Sequence, residues 1–188
     1  MCLKNTAERF GFVAQGFHWV IGLLIIGMLA LGFYMADLEP GPEMLKLYGL
    51  HKSFGALVLM LVILRIIWRL MNVTPSPLAG HARWEVVLAK SVQGILYLAM
   101  LTMPLSGWLL SSSAGYPVSF FGLFDLPALV GKSKPLHDLA EEIHEITAFV
   151  LIGALTLHIA GALKHHIIDR DETIARMLPW TKPTKPTE

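Results

Sequence analysis

The chain is poor in charge and nearly devoid of cysteine. Only 15% of its 188 residues are Asp, Glu, Lys or Arg, against 54% hydrophobic, and mean hydropathy is +0.58. That balance excludes an ordinary soluble domain, in which about a quarter of residues are charged. A formal net charge of +1 without a concentrated basic stripe excludes nucleic acid as a partner, because phosphate recognition needs clustered Lys and Arg. The single cysteine, Cys2, excludes an internal disulfide, an iron–sulfur cluster and a zinc–thiolate site.

Charge is missing in blocks. Phe10 to Ala36, Ser91 to Phe124 and the eighteen residues Ile146 to Leu163 contain no Asp, Glu, Lys or Arg, and each can hold a membrane helix. Ser53 to Leu64 is charge-free but too short to span, so that helix must take in Lys52, Arg65 and Arg69, whose long side chains reach the interfaces. The pattern predicts an all-α membrane protein, a bundle of four transmembrane helices near 12–36, 48–70, 88–111 and 140–167. Lys4, Arg9, Arg65, Arg69, Arg83, Lys90, Lys164, Arg170 and Arg176 then fall on one side, which the positive-inside rule assigns to the cytoplasm together with both termini. The first run is too long for a cleaved leader and lacks a small-residue cleavage pattern, so it is expected to stay as a helix.

The connections follow ordinary helix-ending chemistry. Glu39-Pro40-Gly41-Pro42 and Thr74-Pro75-Ser76-Pro77 break the first two. The third, from about Ser112 to Leu139, is longer, and Tyr116, Phe120, Phe121 and Phe124 suggest a segment lying at the outer interface. Residues 1–180 are read as one domain without repeats, and 181–188, rich in Lys, Pro and Thr, as a disordered tail.

Into these apolar segments the sequence places four histidines. His144 and His158 are fourteen residues apart, about 21 Å and nearly four whole turns along a helix, so both project from one face at two depths. With the topology above, His18 and His158 lie in the inner half of the bilayer, and His51 and His144 near its outer surface. Each of these residues alone could be an interfacial histidine that finds water or a carbonyl; together they form two depth-matched pairs, as two stacked metal centres require. His137 and His165 are rival ligands at a seven-residue spacing, but both fall among charged residues outside the apolar core. His81 and His166 are expected to be loop and exit residues.

Imidazole on both axial positions of an iron leaves no vacant site, which points to electron transfer and away from oxygen binding. With no C-x-x-C-H in the chain, a haem has to be held without thioether links, as a b-type haem is. Two non-covalent haem b groups are therefore expected. Their propionates need cations near the membrane faces: Arg65 and Arg69 suit the inner haem and Lys52 the outer, although anchoring at the interface explains the arginines equally well. Gly22, Gly55, Gly94, Gly107 and Gly153 could give a flat macrocycle room, or serve ordinary helix packing.

Phe17-His18-Trp19, Leu50-His51-Lys52-Ser53-Phe54-Gly55, L-R-I-I-W-R-L at 64–70, P-L-S-G-W at 104–108, Ile143-His144-Glu145 and L-H-I-A-G-A-L-K-H-H at 157–166 together resemble the bacterial cytochrome b561 family over nearly the whole chain. The resemblance implies a dihaem cytochrome of the bacterial inner membrane, with His18 and His158 ligating the inner haem and His51 and His144 the outer. It further implies exchange of electrons with ubiquinone and, in some relatives, oxidation of periplasmic superoxide, with Lys52 and the loop from Trp108 to Tyr116 as candidates for the outer chemistry. The alternative is a membrane-anchor cytochrome b subunit relaying electrons for a partner dehydrogenase or hydrogenase, in which case the donor is a redox protein. No catalytic residue is assigned.

Overall fold

A computed structural model describes residues 2–78 and 80–179; the tail at 181–188 lies outside the described residues. Four long helices dominate: α1 (Phe12–Ala36), α2 (Pro42–Leu70), α3 (Arg83–Ala114) and α4 (Lys134–Lys164). All four are long and apolar enough to cross a membrane. At about 1.5 Å per residue even the shortest, 25 residues, exceeds the roughly 30 Å hydrocarbon core.

The expected limits hold for α1 and need correction elsewhere. α2 begins at Pro42 rather than near 48, with proline in its first turn, where no N–H is needed. α3 begins at Arg83 rather than near 88; Glu85 Oε2 accepts the Ala82 N–H at 3.1 Å and secures the first turn. α4 begins at Lys134 rather than near 140, so His137 is helical and not in a loop. In each case the charged first turns are helical but protrude from the apolar slab, and charge marks the slab's edge rather than the helix's. The third connection is also more ordered than an interfacial segment: β1 (Val118–Phe120) and β2 (Phe124–Leu126) pair antiparallel, Ser119 opposite Asp125. Gly115 makes this possible, ending α3 at φ +82° and returning its N–H to the Ser111 and Ser112 carbonyls.

A small core of Ile21, Ile25, Val58, Val62, Ala99, Met100 and Leu151 unites the helices. Outside it, Leu23 is 68% exposed, Leu98 68% and Leu157 57%. Apolar residues thus face outward all round, as lipid-facing helices do. α1 packs along α2, α2 along α3, and α3 most extensively along α4. Among the described residues α4 makes no comparably extensive backbone contact with α1 or α2, and side chains bridge that gap.

The segment before α1 and residues 170–178 meet at one end of the bundle, the terminal end; the β hairpin marks the other. Asn5 Nδ2 donates to Val73 O at 2.9 Å. Gln15 Nε2 donates to Phe10 O and Arg176 O, Trp19 Nε1 to Met177 O at 2.9 Å, and Arg176 Nη1 to Ser76 O at 2.8 Å. Residues 170–178 thereby cap α1 and the α2–α3 connection. The cap carries a partly buried carboxyl, Asp171. Burial pulls its pKa upward, but hydrogen bonds from Thr173 and His81 and the field of His165 outweigh that and hold it below the ordinary carboxylate value.

Candidate functional site

The gap between α4 and the α1–α2 pair holds the four membrane histidines in two facing pairs. His18 on α1 and His158 on α4 have ring centroids 5.9 Å apart, and His51 on α2 and His144 on α4 are 6.3 Å apart. The pairing is the one expected from depth. Metal–imidazole bonds are about 2.0–2.1 Å, and with roughly 1.1 Å from each ligating nitrogen to its ring centre, two axial ligands of one metal stand about 6 Å apart. The first pair lies toward the terminal end and the second toward the hairpin, separated by the fourteen-residue spacing on α4.

The hydrogen bonding of the second pair suits metal ligation. Nδ1 of His144 lies 3.1 Å from Met103 O and 3.1 Å from Ser106 Oγ, both on α3. A proton on Nδ1 shared between them leaves the Nε2 lone pair free, the arrangement by which outer partners orient a ligating imidazole. Ser106 is itself fixed by donating to Met103 O at 2.9 Å. Pro104, inside α3, offers no N–H to the Met100 carbonyl and its ring crowds it, loosening the helix in the turn that receives His144. Gly107 completes the cradle: a Cβ there would stand 3.1 Å from His144 Cε1, so His144 packs directly on backbone. On α1, Gly32 does the same for His51, its added Cβ falling 3.4 Å from His51 Cε1. His51 Nδ1 is buried with no hydrogen-bond partner, an orphan that a protein interior rarely tolerates without a function.

At the terminal end, a cavity is lined by His18, His158, Gly22, Arg65, Arg69 and Trp68 among others. A Cβ at Gly22 would meet nothing within 4 Å, which marks open space beside the pair. Arg65 Nη2 lies 3.3 Å from His18 Nδ1, and both Arg65 and Arg69 lie 5.4 Å from the Tyr97 ring centroid. Neither arginine meets a carboxylate among the described residues. Trp68 Nε1 is also buried and unpartnered. Two guanidinium groups and one idle indole N–H around an apolar cleft form a receptacle for acid groups. A planar iron chelate with two carboxylates thus fits the residues present.

Lys52 sits where α2 meets the hairpin. Its ammonium donates to Pro117 O at 2.9 Å and Ser111 Oγ at 3.3 Å, tying α2 to the start of the hairpin, and lies 6.0 Å from the Tyr116 ring centroid. Of the five glycines credited with making room, Gly107 packs on a histidine, Gly22 borders the cavity, and Gly55 meets only Met28 Cε, at 3.9 Å; at Gly94 and Gly153 a Cβ would touch nothing within 4 Å. Ser106, Gly32 and Trp68 were missed by the reading of single residues. Ser106 and Gly107 had a signal in the P-L-S-G-W string around Pro104.

The family model described as prokaryotic cytochrome b561 matches residues 9–180. Cytochrome b561 homolog 2 of Escherichia coli K12 is 35% identical over 185 residues, 95% of each chain. Cytochrome b561 homolog 1 of the same organism is 27% identical over 177 residues, covering 93% of this chain and 99% of the relative. A protein named probable superoxide oxidase CybB, from Yersinia pestis, is 27% identical over 176 residues, covering 92% and 97%.

Proposed function

The chain belongs to the prokaryotic cytochrome b561 family, and from that premise we propose that it conducts single electrons across the membrane through two b-type haems, one held by His18 and His158 and the other by His51 and His144. Its family and its four membrane-spanning helices make it a multi-pass protein of the bacterial inner membrane acting in electron transfer with b-type haem. The observation that carries the dihaem reading is the pair of facing imidazole couples at two levels.

A haem bound between two imidazoles supplies reversible one-electron iron chemistry with no open coordination position. The chain does the rest. His144 is held in one tautomer and one orientation by Met103 O and Ser106 Oγ. Arg65 and Arg69 would neutralise the propionates of a haem at the terminal end, with Trp68 Nε1 as a further donor. Ligation through His18 Nε2 would require Arg65 to release His18 Nδ1, from which its Nη2 now lies 3.3 Å. The apolar core between the two levels excludes water. By the positive-inside rule the terminal end faces the cytoplasm, and the hairpin end, where Lys52 anchors the loop, faces the periplasm.

For the external partners we propose ubiquinone as acceptor and superoxide as a periplasmic donor, which the superoxide-oxidase name of the Yersinia relative favours. In the balanced reaction two superoxide ions lose one electron each and leave two O2, while one ubiquinone gains both electrons and two protons to become ubiquinol. The test is a superoxide flux applied to the purified oxidised protein, with and without a soluble ubiquinone. The haem absorption is expected to shift to the reduced form, superoxide dismutase to abolish that shift, and ubiquinone to restore the oxidised spectrum. Haems that stay oxidised throughout, beside a co-purifying dehydrogenase or hydrogenase subunit that reduces them, would replace superoxide by a protein donor.

The cradle around His144 gives a second test. In Gly107→Val, the added carbons are expected to displace His144 and sharply lower occupancy of the hairpin-end haem while the other haem stays. In Ser106→Ala the haem is expected to remain but bind about 10–100-fold more weakly, the usual effect of losing an outer partner. Haem titration of the two variants checks both.

A further inference from the structure

Two membrane-flanking histidines left over from the electron path come together with the Asp171 carboxylate at the terminal end. His81 Nε2, from the α2–α3 connection, lies 2.9 Å from Asp171 Oδ2. His165 Nδ1, at the exit of α4, lies 3.0 Å from the same oxygen. The two rings are 4.5 Å apart by centroids and tilted by 31°, and one nitrogen from each histidine together with one carboxylate oxygen fall within 4.8 Å of one another. All three side chains are less than one-fifth exposed. We propose that His81, His165 and Asp171 form a binding site for a divalent transition-metal ion, separate from the haem-bearing histidines.

The backbone is bent to make this cluster. After Lys164 the helix widens into a π turn, His165–Asp169, and Arg170 follows in the left-handed region at φ +54°, an uncommon conformation for a residue with a side chain. The Asp171 N–H then returns to His165 O at 3.1 Å, bringing the carboxylate within 3.0 Å of His165 Nδ1. π turns concentrate at functional sites because the extra residue re-aims a side chain. His165 Nδ1 is fully shielded and, although 2.8 Å from Asp169 Oδ2 and 3.0 Å from Asp171 Oδ2, has neither at a hydrogen-bonding angle. A nitrogen this close to two carboxylate oxygens requires positive charge between them, which a bound cation supplies as a proton does.

The donor set indicates the ion's class. Two neutral imidazoles and one carboxylate suit zinc or iron(II), which take such a set with positions left for water; magnesium and calcium prefer all-oxygen shells. Outer support is present as well. Lys164 Nζ binds Asp169 Oδ2 at 2.9 Å and pairs with Glu85, which keeps the second carboxylate occupied and ties α4 to α3. The bound ion would join the α2–α3 connection, the α4 exit and the C-terminal strap, three segments otherwise linked here by hydrogen bonds and ion pairs.

The test uses full-length, haem-loaded protein in detergent, stripped with EDTA and titrated with zinc chloride in millimolar magnesium. One zinc per chain beyond the haem iron is expected by mass spectrometry. Zinc-edge X-ray absorption, blind to the haem, is expected to show a nitrogen/oxygen shell near 2.0 Å with imidazole outer scattering. His81→Ala and Asp171→Asn are expected to weaken zinc binding more than tenfold with haem content unchanged, whereas His166→Ala, at the exposed neighbour, leaves it intact. Asp171→Asn, nearly isosteric, covers the case in which His81→Ala fails to fold. Absence of stoichiometric zinc, an imidazole-free zinc spectrum, or equal loss in His166→Ala would overturn the assignment.

Discussion

His158→Ala is expected to yield protein with about one haem per chain in place of two, the hairpin-end haem surviving with its spectrum unchanged. The reason is that each histidine pair is a separate clamp: His158 faces His18 at 5.9 Å, whereas His144 faces His51 at 6.3 Å. A b-type haem has no covalent link to the chain, so removing one axial imidazole leaves a site with one ligand and a cavity. Pairs of substitutions make the result decisive. His18→Ala with His158→Ala removes one clamp twice and still leaves one haem; His51→Ala with His158→Ala breaks both clamps and leaves none. Effects within a pair are therefore non-additive, and across pairs they add. A pyridine haemochrome assay against chain concentration reads all four numbers. One haem retained in the His51/His158 combination and none in the His18/His158 combination would mean that the imidazoles pair in the crossed fashion.

The pairing could be read from the sequence because a membrane gives depth a meaning. A charge-free run fixes the slab, hydropathy fixes the helix within it, and a residue's position along the run gives its level. His144 and His158 needed only the helix repeat to place them on one face. Helix ends were less legible. Lys134 and Asp138 on α4 and Glu43 and Lys46 on α2 read as loop residues by charge, yet a helix loses nothing by projecting charged turns into water; α4 even gains an ion pair there, Lys134 with Asp138 at 3.0 Å. What decides these ends is capping, with Pro42 and Pro135 in first turns.

Apart from the histidine pairs, contacts between distant segments were not legible. Ser106 reaches His144 across 38 residues and His81 reaches Asp171 across 90, and no periodicity links such positions. Gly107 shows the difference well. In the sequence it was one of five interchangeable glycines, and only the approach of His144 Cε1 to its backbone separates it from Gly94 or Gly153. The same applies to His165, a residue discounted for its depth. Depth kept it apart from the two facing histidine pairs, but could not reveal that a π turn carries its ring toward His81.

In sealed vesicles, His144→Ala is expected to abolish electron passage from one face to the other while leaving the terminal-end haem fully reducible from its own side. The two histidine levels on α4 are about 21 Å apart along the helix, and between them lie Ile21, Ile25, Val62 and Leu151, none of which can hold an electron. Tunnelling falls exponentially with distance, so two sites in series conduct where one, left alone in the same apolar slab, does not. The loss therefore far exceeds the halving of haem content that accompanies it. Ser106→Ala provides the comparison: it keeps the ligand and removes only one of the oxygens that orient it, so passage slows without stopping once haem is saturating. The measurement encloses ferricyanide within the vesicles, supplies a membrane-impermeant reductant outside, and follows ferricyanide bleaching, with empty vesicles as the floor. His144→Ala at the floor, beside wild-type reduction of its remaining haem from the terminal side, is the expected outcome. Passage persisting at half the wild-type rate would mean that the two levels work in parallel, and the series arrangement would have to be abandoned.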